Sequence, residues 1–475
     1  TYMPDHAISH RSDQIYMIAT LVHSRWTSDE LRILLEDCLD LISGELKLKG
    51  LSKEESRQLE LLYLDWKKKI SLPNEFVASF SKTVAEATHI WQKAKNNSDF
   101  LTFEPYLQKI INFSCQRAAY IDDKKPVYDV FLDEYEPGLT TDKLIEILSP
   151  LKKECIQMLK QINLSKFKPK MINSTFDFSK QLALSKDILE KMRFDFSKGR
   201  LDTSSHPFTI DIHPHDVRVT TRLSATNLFE SITSTIHEGG HGLYEQGLSV
   251  DNYGLGLAES VSLGIHESQS RFWENHVGKS LSFWETYLPK LKSYFSTELN
   301  DVTGYDLFAN VNQVSPGLIR VDADEISYCL HIIIRFECEV ALFNKEISTV
   351  QLRDYWKSLY KDYLGVEPET DSEGVLQDIH WATGAFGYFP TYVIGSIIAA
   401  QLFNKMTTDF DSFDGCIESL NWKPINDWLN ENIFSYGRFF DSNDLVKHVT
   451  SNFINVEDLI SYLKSKYSAL YKVTL

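Results

Sequence analysis

Apolar residues recur at helical spacing through most of the first two hundred positions. Leu31, Leu34, Leu35, Cys38, Leu39 and Ile42 trace one stripe. Leu144, Ile145, Leu148, Leu151, Cys155, Met158 and Leu159 trace another, in a long helix expected to begin near Thr141. Thr27 followed by Glu30, and Ser52 followed by Glu55, have the spacing of capping boxes and predict helix starts. Stripes of this kind bury a helix face, and no chemistry is assigned to them. The period changes to two across Thr209-Ile-Asp-Ile-His213 and again from Val217 to Arg222, with Pro214, His215 and Asp216 between. That pattern predicts a short hairpin and the main sheet of the protein. Helical patterning returns at Leu228 and runs nearly to Leu475. The expected fold is mainly α with one small β-hairpin or sheet. No repeat or low-complexity linker divides the chain. Residues 1–475 are read as a single unit, with an N-terminal helical lobe to about residue 200 and the site-bearing part from about residue 201.

Composition sharpens this in three places. Only 14 prolines and 21 glycines in 475 residues agree with helices over a turn-rich β fold. The net charge of -17 repels phosphate backbones and anionic lipid, so neither nucleic acid nor membrane is expected as a partner. Cys38, Cys115, Cys155, Cys329, Cys338 and Cys416 are scattered without a Cys-X-X-Cys, which suits reduced thiols and a cytoplasmic location. No export signal is expected. The apolar run at 393–403 is too short to span a bilayer, and His331, Arg335, Glu337 and Glu339 interrupt the longer one at 326–343.

Candidate chemistry is concentrated at His237-Glu-Gly-Gly-His241, which follows Leu228, Phe229, Ile232 and Ile236 at helical spacing. Histidines at i and i+4 on a helix direct two imidazoles at one metal ion. Glu238, one residue off that pair, is placed to act as general base on a water at the metal. Two glycines inside a helix cost about 1 kcal/mol each relative to alanine, so Gly239 and Gly240 predict close approach of a substrate or a neighbouring helix. A catalytic zinc takes a third protein ligand. Tyr244 and Gly247 stand where a metzincin would carry glycine and histidine, which excludes that class. The alternative is a glutamate from a following helix: Glu259, Glu267 or Glu274, which spacing does not separate. Pairing of Glu267 with Arg271 at i+4 is the competing reading.

Six stretches in fixed order carry a resemblance. They are His206-Pro-Phe208, Asp216-Val-Arg-Val-Thr220, His237 to His241, His266-Glu-Ser-Gln-Ser-Arg271, Ile319-Arg-Val-Asp-Ala-Asp324 and Gly374-Val-Leu-Gln-Asp-Ile-His-Trp381. In these the chain resembles the Taq-type metallocarboxypeptidases, the thermostable carboxypeptidase 1 family, within the peptidases whose third metal ligand is a glutamate. The resemblance implies a large helical peptidase with a deep active-site cleft. It also implies Glu267 as the third ligand, one divalent metal per chain (zinc first, cobalt or manganese as alternatives), peptide substrates with a free C-terminus, and a homodimer. Members of that family carry further residues ahead of the segment matching Thr1-Tyr-Met-Pro4, so a short or truncated N-terminus is expected here.

A carboxypeptidase must recognise a free carboxylate. Pro316 and Gly317 predict a turn, and Asp322 with Glu325 a capping box, which sets Arg320 just ahead of a helix N-terminus where an anion is favoured. Pairing of Arg320 with Asp322 or Asp324 is the competing reading, and the family's carboxylate-binding arginine favours the anchor. For the oxyanion, related glutamate-ligand peptidases pair a histidine with a downstream tyrosine, which points to His380 with Tyr392, Tyr388 being held in reserve. His206 and Arg218 are read as substrate-binding groups at the cleft edge, and His213 and His215 as turn residues. Two rivals stand beside the carboxypeptidase: an endo-acting metallo-oligopeptidase and a non-catalytic helical binding protein.

Overall fold

A computed structural model describes residues 7–475, apart from the side chains of residues 8, 9 and 12. The segment Thr1–Pro4 lies outside the described residues. The described residues are mainly helical, with one three-stranded sheet. They divide into two compact units. The first comprises the described residues up to Ile145, together with Pro316–Ala323 and His331–Pro390; the second comprises Glu146–Ser315, Asp324–Leu330 and Thr391–Leu475. None of the boundaries between the units falls at residue 200, and two later segments return to the first unit.

In the first unit, capping chemistry sets the early helix starts. Ser52 and Glu55 form the reciprocal box that opens the helix Lys53–Ile70. The earlier start is displaced by one residue from the expected box. Ser28 caps Asp29–Cys38, whereas Thr27 ends the preceding helix by donating to the His23 carbonyl. Leu35 and Leu39 of the expected stripe are buried with Tyr63 and Trp66, but the helix stops at Cys38 and leaves Ile42 exposed. Phe100, Phe103, Leu107, Ile110, Phe131, Trp381 and Phe386 are buried in the same unit.

The second unit carries the expected long helix Thr141–Asn163 from Glu146 onward, with Leu148, Leu151, Cys155, Met158 and Leu159 buried. It also carries the sheet, whose strands are β1 (Gly199–Thr203), β2 (Thr209–His213) and β3 (Asp216–Thr221) in the order β1-β3-β2. β2 and β3 are the expected antiparallel hairpin, while β1 runs parallel to β3 and had no signature in the pattern of side chains. Val217, Val219 and Thr221 turn one face of β3 inward, and Val219 lies against Gly242 of the helix Leu228–Gly247. The sheet therefore backs the helix that bears the paired histidines.

Candidate metal centre and active site

The helix Leu228–Gly247, here the metal helix, opens on Asn227, whose side chain accepts from the Phe229 amide. Leu228, Ile232, Ile236 and Leu243 are buried, which fixes the rotation of the helix and with it the histidine face. His237 and His241 stand one turn apart with ring centroids 5.0 Å from each other. The two glycines are required by neighbours. A Cβ on Gly239 would lie 2.7 Å from Leu189 Cδ2 and 2.8 Å from Met192 Cε. On Gly240 it would lie 2.6 Å from the Gln269 carbonyl oxygen and 2.7 Å from Ser270 Cα, both backbone atoms of the helix Leu263–Arg271. The expected close approach is therefore that of neighbouring helices.

That second helix is capped by Ser262 and delivers Glu267. Glu267 Oε2 lies 3.4 Å from His241 Nε2 and 3.8 Å from His237 Nε2. The ligand atoms of His237, His241 and Glu267 all lie within 4.8 Å of one another. The other oxygen, Oε1, accepts from Arg271 Nε at 2.6 Å. The pairing with Arg271 is thus made on one oxygen, while the other faces the two histidines. Glu274 sits in the π-helical segment Phe272–Gly278 and takes a different role. Its Oε2 bonds His237 Nδ1 at 2.8 Å, and its Oε1 accepts from Lys279 Nζ at 2.7 Å. A carboxylate on the far nitrogen fixes the imidazole's tautomer and direction and leaves Nε2 turned toward Glu267. Glu259 is exposed and pairs with Arg438.

The charges of the cluster act strongly on one another. Burial alone would raise the Glu267 carboxyl, but Arg271 and the two histidines hold it below the ordinary carboxylate range. Burial, then His266, depress His241 to about 3, so that imidazole is neutral as a ligand must be. Burial also pulls His237 down, yet Glu267 and Glu274 outweigh it and raise its proton affinity. Two imidazoles and a carboxylate meeting at one point are a donor set for a borderline divalent ion. The residues present fit the metal.

Glu238 is buried beside this cluster, and its Oε2 accepts from Thr209 Oγ1 at 2.7 Å. Burial pushes its carboxyl up, while His237 and the Thr209 bond pull it back. Thr209 is the first residue of β2, so the hairpin contributes to the site directly, a role its position in the sequence does not announce.

On the helix Pro390–Asp409, Gly395 lets the backbone meet Glu267, since a Cβ there would lie 2.5 Å from Glu267 Cγ. Tyr392, three residues earlier, stands near the same face. Its ring lies 6.5 Å from that of Tyr328, which in turn covers the Arg271 guanidinium at 4.2 Å. Tyr392 therefore belongs to the surroundings of the metal residues within the second unit. Tyr388 belongs to the first unit, where its ring packs on Tyr135 and His380.

Arg320 is in the first unit too, in the short turn Arg320–Asp322. Within the first unit it is held by Asp378. Nε and Nη2 both donate to Asp378 Oδ1, at 3.0 and 2.9 Å, while Arg335 Nε donates to Oδ2 at 2.7 Å. The expected cap is corrected as well. Asp324 accepts from the amides of Ile326 and Ser327 and so starts Glu325–Phe343, displacing the Asp322–Glu325 box. His380 is depressed to about 4 by burial, with Arg320 and Arg335 adding to the effect, so its imidazole is neutral near pH 7. His206 is exposed, and Arg218 is paired with Asp216 on the face of β3 opposite Val217 and Val219. Neither joins the metal group. His213 ends β2 and His215 lies in the hairpin turn, their rings meeting edge to face with centroids 5.3 Å apart.

The second unit thus brings a His-Glu-X-X-His helix and a glutamate of the next helix together as a group that could hold a metal ion. The model of the carboxypeptidase Taq (M32) metallopeptidase family matches residues 1–467. Carboxypeptidase 1 of Bacillus subtilis (strain 168) is 37% identical over 473 residues, spanning 99% of this chain and 93% of that protein. Thermostable carboxypeptidase 1 of Thermus thermophilus is 35% identical, over 99% of this chain and 94% of its own length. The crystal structure of the M32 carboxypeptidase from Deinococcus radiodurans R1 superposes with a TM-score of 0.94 at 32% identity, covering 100% of this chain and 94% of that one. The chain belongs to the M32 family of metallocarboxypeptidases.

Proposed function

We propose that His237, His241 and Glu267 hold one divalent ion, zinc in the first instance, and that Glu238 is the general base for hydrolysis of the C-terminal peptide bond. The observation that carries this reading is the convergence of one ligand atom from each of His237, His241 and Glu267, with Glu238 buried next to His237 on the metal helix. When bound, the ion supplies Lewis-acid chemistry, polarising the scissile carbonyl and lowering the pKa of a water toward about 7. Thr209 holds Glu238 Oε2, which leaves Oε1 to take the proton of the attacking water and then deliver it to the leaving amine. Glu274 and Arg271 keep His237 and Glu267 aimed. Arg320, its guanidinium oriented by Asp378, is assigned to the substrate's terminal carboxylate. His380, which is neutral and can donate, is assigned to the oxyanion with Tyr392, and the surroundings of Tyr392 favour it over Tyr388. The assignments of Arg320 and His380 rest on family resemblance. His206 and Arg218 are kept as cleft-edge groups of lesser weight.

The residues act as one catalytic unit over 1–475, on peptides with a free C-terminus. Two further readings have support of a physical kind. A second copy of the chain would cover an exposed apolar face on the first helix, where Met17, Ile18, Leu21 and Val22 are 52–67% exposed. A reducing, cytoplasmic setting suits six cysteines that are all unbridged. No helix of the described residues is long and apolar enough to cross a membrane. The test of the central assignment is Glu238→Gln. It should keep its metal and lose nearly all turnover, and activity within about tenfold of the parent in a metal-loaded variant would overturn the base assignment.

A further inference from the structure

Glu339 is fully buried in the first unit and touches none of the groups assigned to chemistry above. Its Oε1 accepts from the Trp381 indole Nε1 at 2.7 Å. Its Oε2 accepts from the Tyr128 hydroxyl at 2.6 Å and from the Gly387 amide at 2.9 Å. Trp381 follows His380 in the chain, and Gly387 precedes Tyr388. One carboxyl group therefore grips both ends of the segment that presents His380, and ties that segment to the helix Val127–Tyr135 through Tyr128.

The segment is built to be held there. It is closed on itself by the Ala385 amide donating to the His380 carbonyl at 2.9 Å. Gly387 has φ +80, and a Cβ on it would lie 2.8 Å from the Phe131 carbonyl carbon and 3.0 Å from the Leu132 nitrogen. Its backbone is pressed on the same helix that carries Tyr128. The His380 ring then packs on Tyr388 and Phe389, with centroids 5.1 and 4.3 Å away. Burial pushes the Glu339 carboxyl up to about 7, against the three hydrogen bonds and Arg335. An acid is kept here at an electrostatic cost that an apolar residue would avoid.

We propose that Glu339 is the positioning residue for the segment 380–388, fastening both of its ends so that the His380 imidazole is held in its working direction. This rests on the assignment of His380 to the oxyanion made above. Glutamine is the informative substitution, because its oxygen can still accept from one partner while its NH2 meets a second donor.

The test is a cycle on metal-loaded full-length protein: parent, Glu339→Gln, His380→Ala and the double variant, with KM and kcat measured separately and metal content and Tm as controls. Glu339→Gln is expected to keep its metal and KM within about twofold and to lower kcat by about tenfold or more. On the His380→Ala background the same change should cost less than about twofold, because there is no longer an imidazole to aim. A merely structural group would cost the same factor in both backgrounds, and that result, or an unchanged kcat with a lowered Tm, overturns the proposal. Should Glu339→Gln not fold, Trp381→Phe removes the donor to Oε1 while keeping an aromatic ring, and the same background dependence is expected. An inactive His380→Ala beside a fully active Glu339→Gln overturns this inference alone. A fully active His380→Ala overturns the oxyanion assignment and this inference with it.

Discussion

Alanine at Gly239 and at Gly240 should have very different consequences, although the two positions are adjacent on one helix. In a helix interior either change gains about 1 kcal/mol of intrinsic propensity. At Gly239 the new methyl meets Leu189 Cδ2 at 2.7 Å and Met192 Cε at 2.8 Å, the far ends of flexible side chains that can turn aside. At Gly240 it meets the Gln269 carbonyl oxygen at 2.6 Å and Ser270 Cα at 2.7 Å. These are backbone atoms two and three residues beyond Glu267, so relief to ordinary contact requires the two helices to part by about 0.8 Å. Ligand distances at a metal tolerate only about 0.2 Å. A shift of that size should weaken metal binding by roughly ten- to a hundredfold, the scale seen when supporting shells are disturbed. Overpacking should also cost about 1–3 kcal/mol of stability, against the propensity gain.

Competition with a chromophoric chelator gives the metal affinity of each variant, and unfolding of the metal-free protein gives stability without the contribution of binding. Gly239→Ala should match the parent in affinity and lie within about 1 kcal/mol of it in stability. Gly240→Ala should lose affinity by at least tenfold. Equal affinities for the two variants would show that the spacing of the helices Leu228–Gly247 and Leu263–Arg271 does not set the ligand geometry.

Other perturbations separate the remaining roles. Glu274→Gln should lower metal affinity about ten- to a hundredfold through His237, whereas Glu259→Ala should leave metal content after dialysis unchanged. Arg320→Ala should lower kcat/KM for free-acid peptides roughly a hundredfold and leave the poor turnover of amidated peptides nearly alone; equal losses on both would make Arg320 structural. Burial lifts the Glu339 carboxyl from its ordinary 4.5 to about 7, so the folded protein holds that proton more tightly than the unfolded chain. The resulting stabilisation is complete below about pH 4.5 and is lost as the pH rises through 7, a decline of roughly 3 kcal/mol. Urea unfolding across that window should show it, and Glu339→Gln should remove it.

Much of the metal centre was legible in the sequence because it is local. His237, Glu238 and His241 lie within one helical turn, so spacing alone specifies their faces, and the adjacent glycines announced close packing before any neighbour was known. The hairpin was equally legible from its period of two. What failed was whatever depended on partners distant in the chain. Glu259, Glu267 and Glu274 are equivalent by spacing, and only the placement of the second helix separates a residue facing both histidines from one behind His237 and one in solvent. Gly395 and Thr209 reach Glu267 and Glu238 from other elements, and nothing near either residue in the sequence signals the contact. β1 pairs in parallel with β3 and has mixed burial, so side-chain alternation does not reveal it. Helix starts slipped by a residue or two where several capping side chains are adjacent. Ser28 took the place expected of Thr27, and Asp324 that of Asp322.

The measurement that bears most directly on the account is mass spectrometry of a mixed pool of free-acid and C-terminally amidated peptides incubated with the metal-loaded protein, with Glu238→Gln carrying the same metal as the reference. The account predicts ladders that shorten one residue at a time from the free C-terminus, amidated peptides left largely intact, and no ladder from Glu238→Gln. Internal fragments appearing equally from acids and amides, or a ladder from the metal-loaded Glu238→Gln protein at a comparable rate, would contradict it.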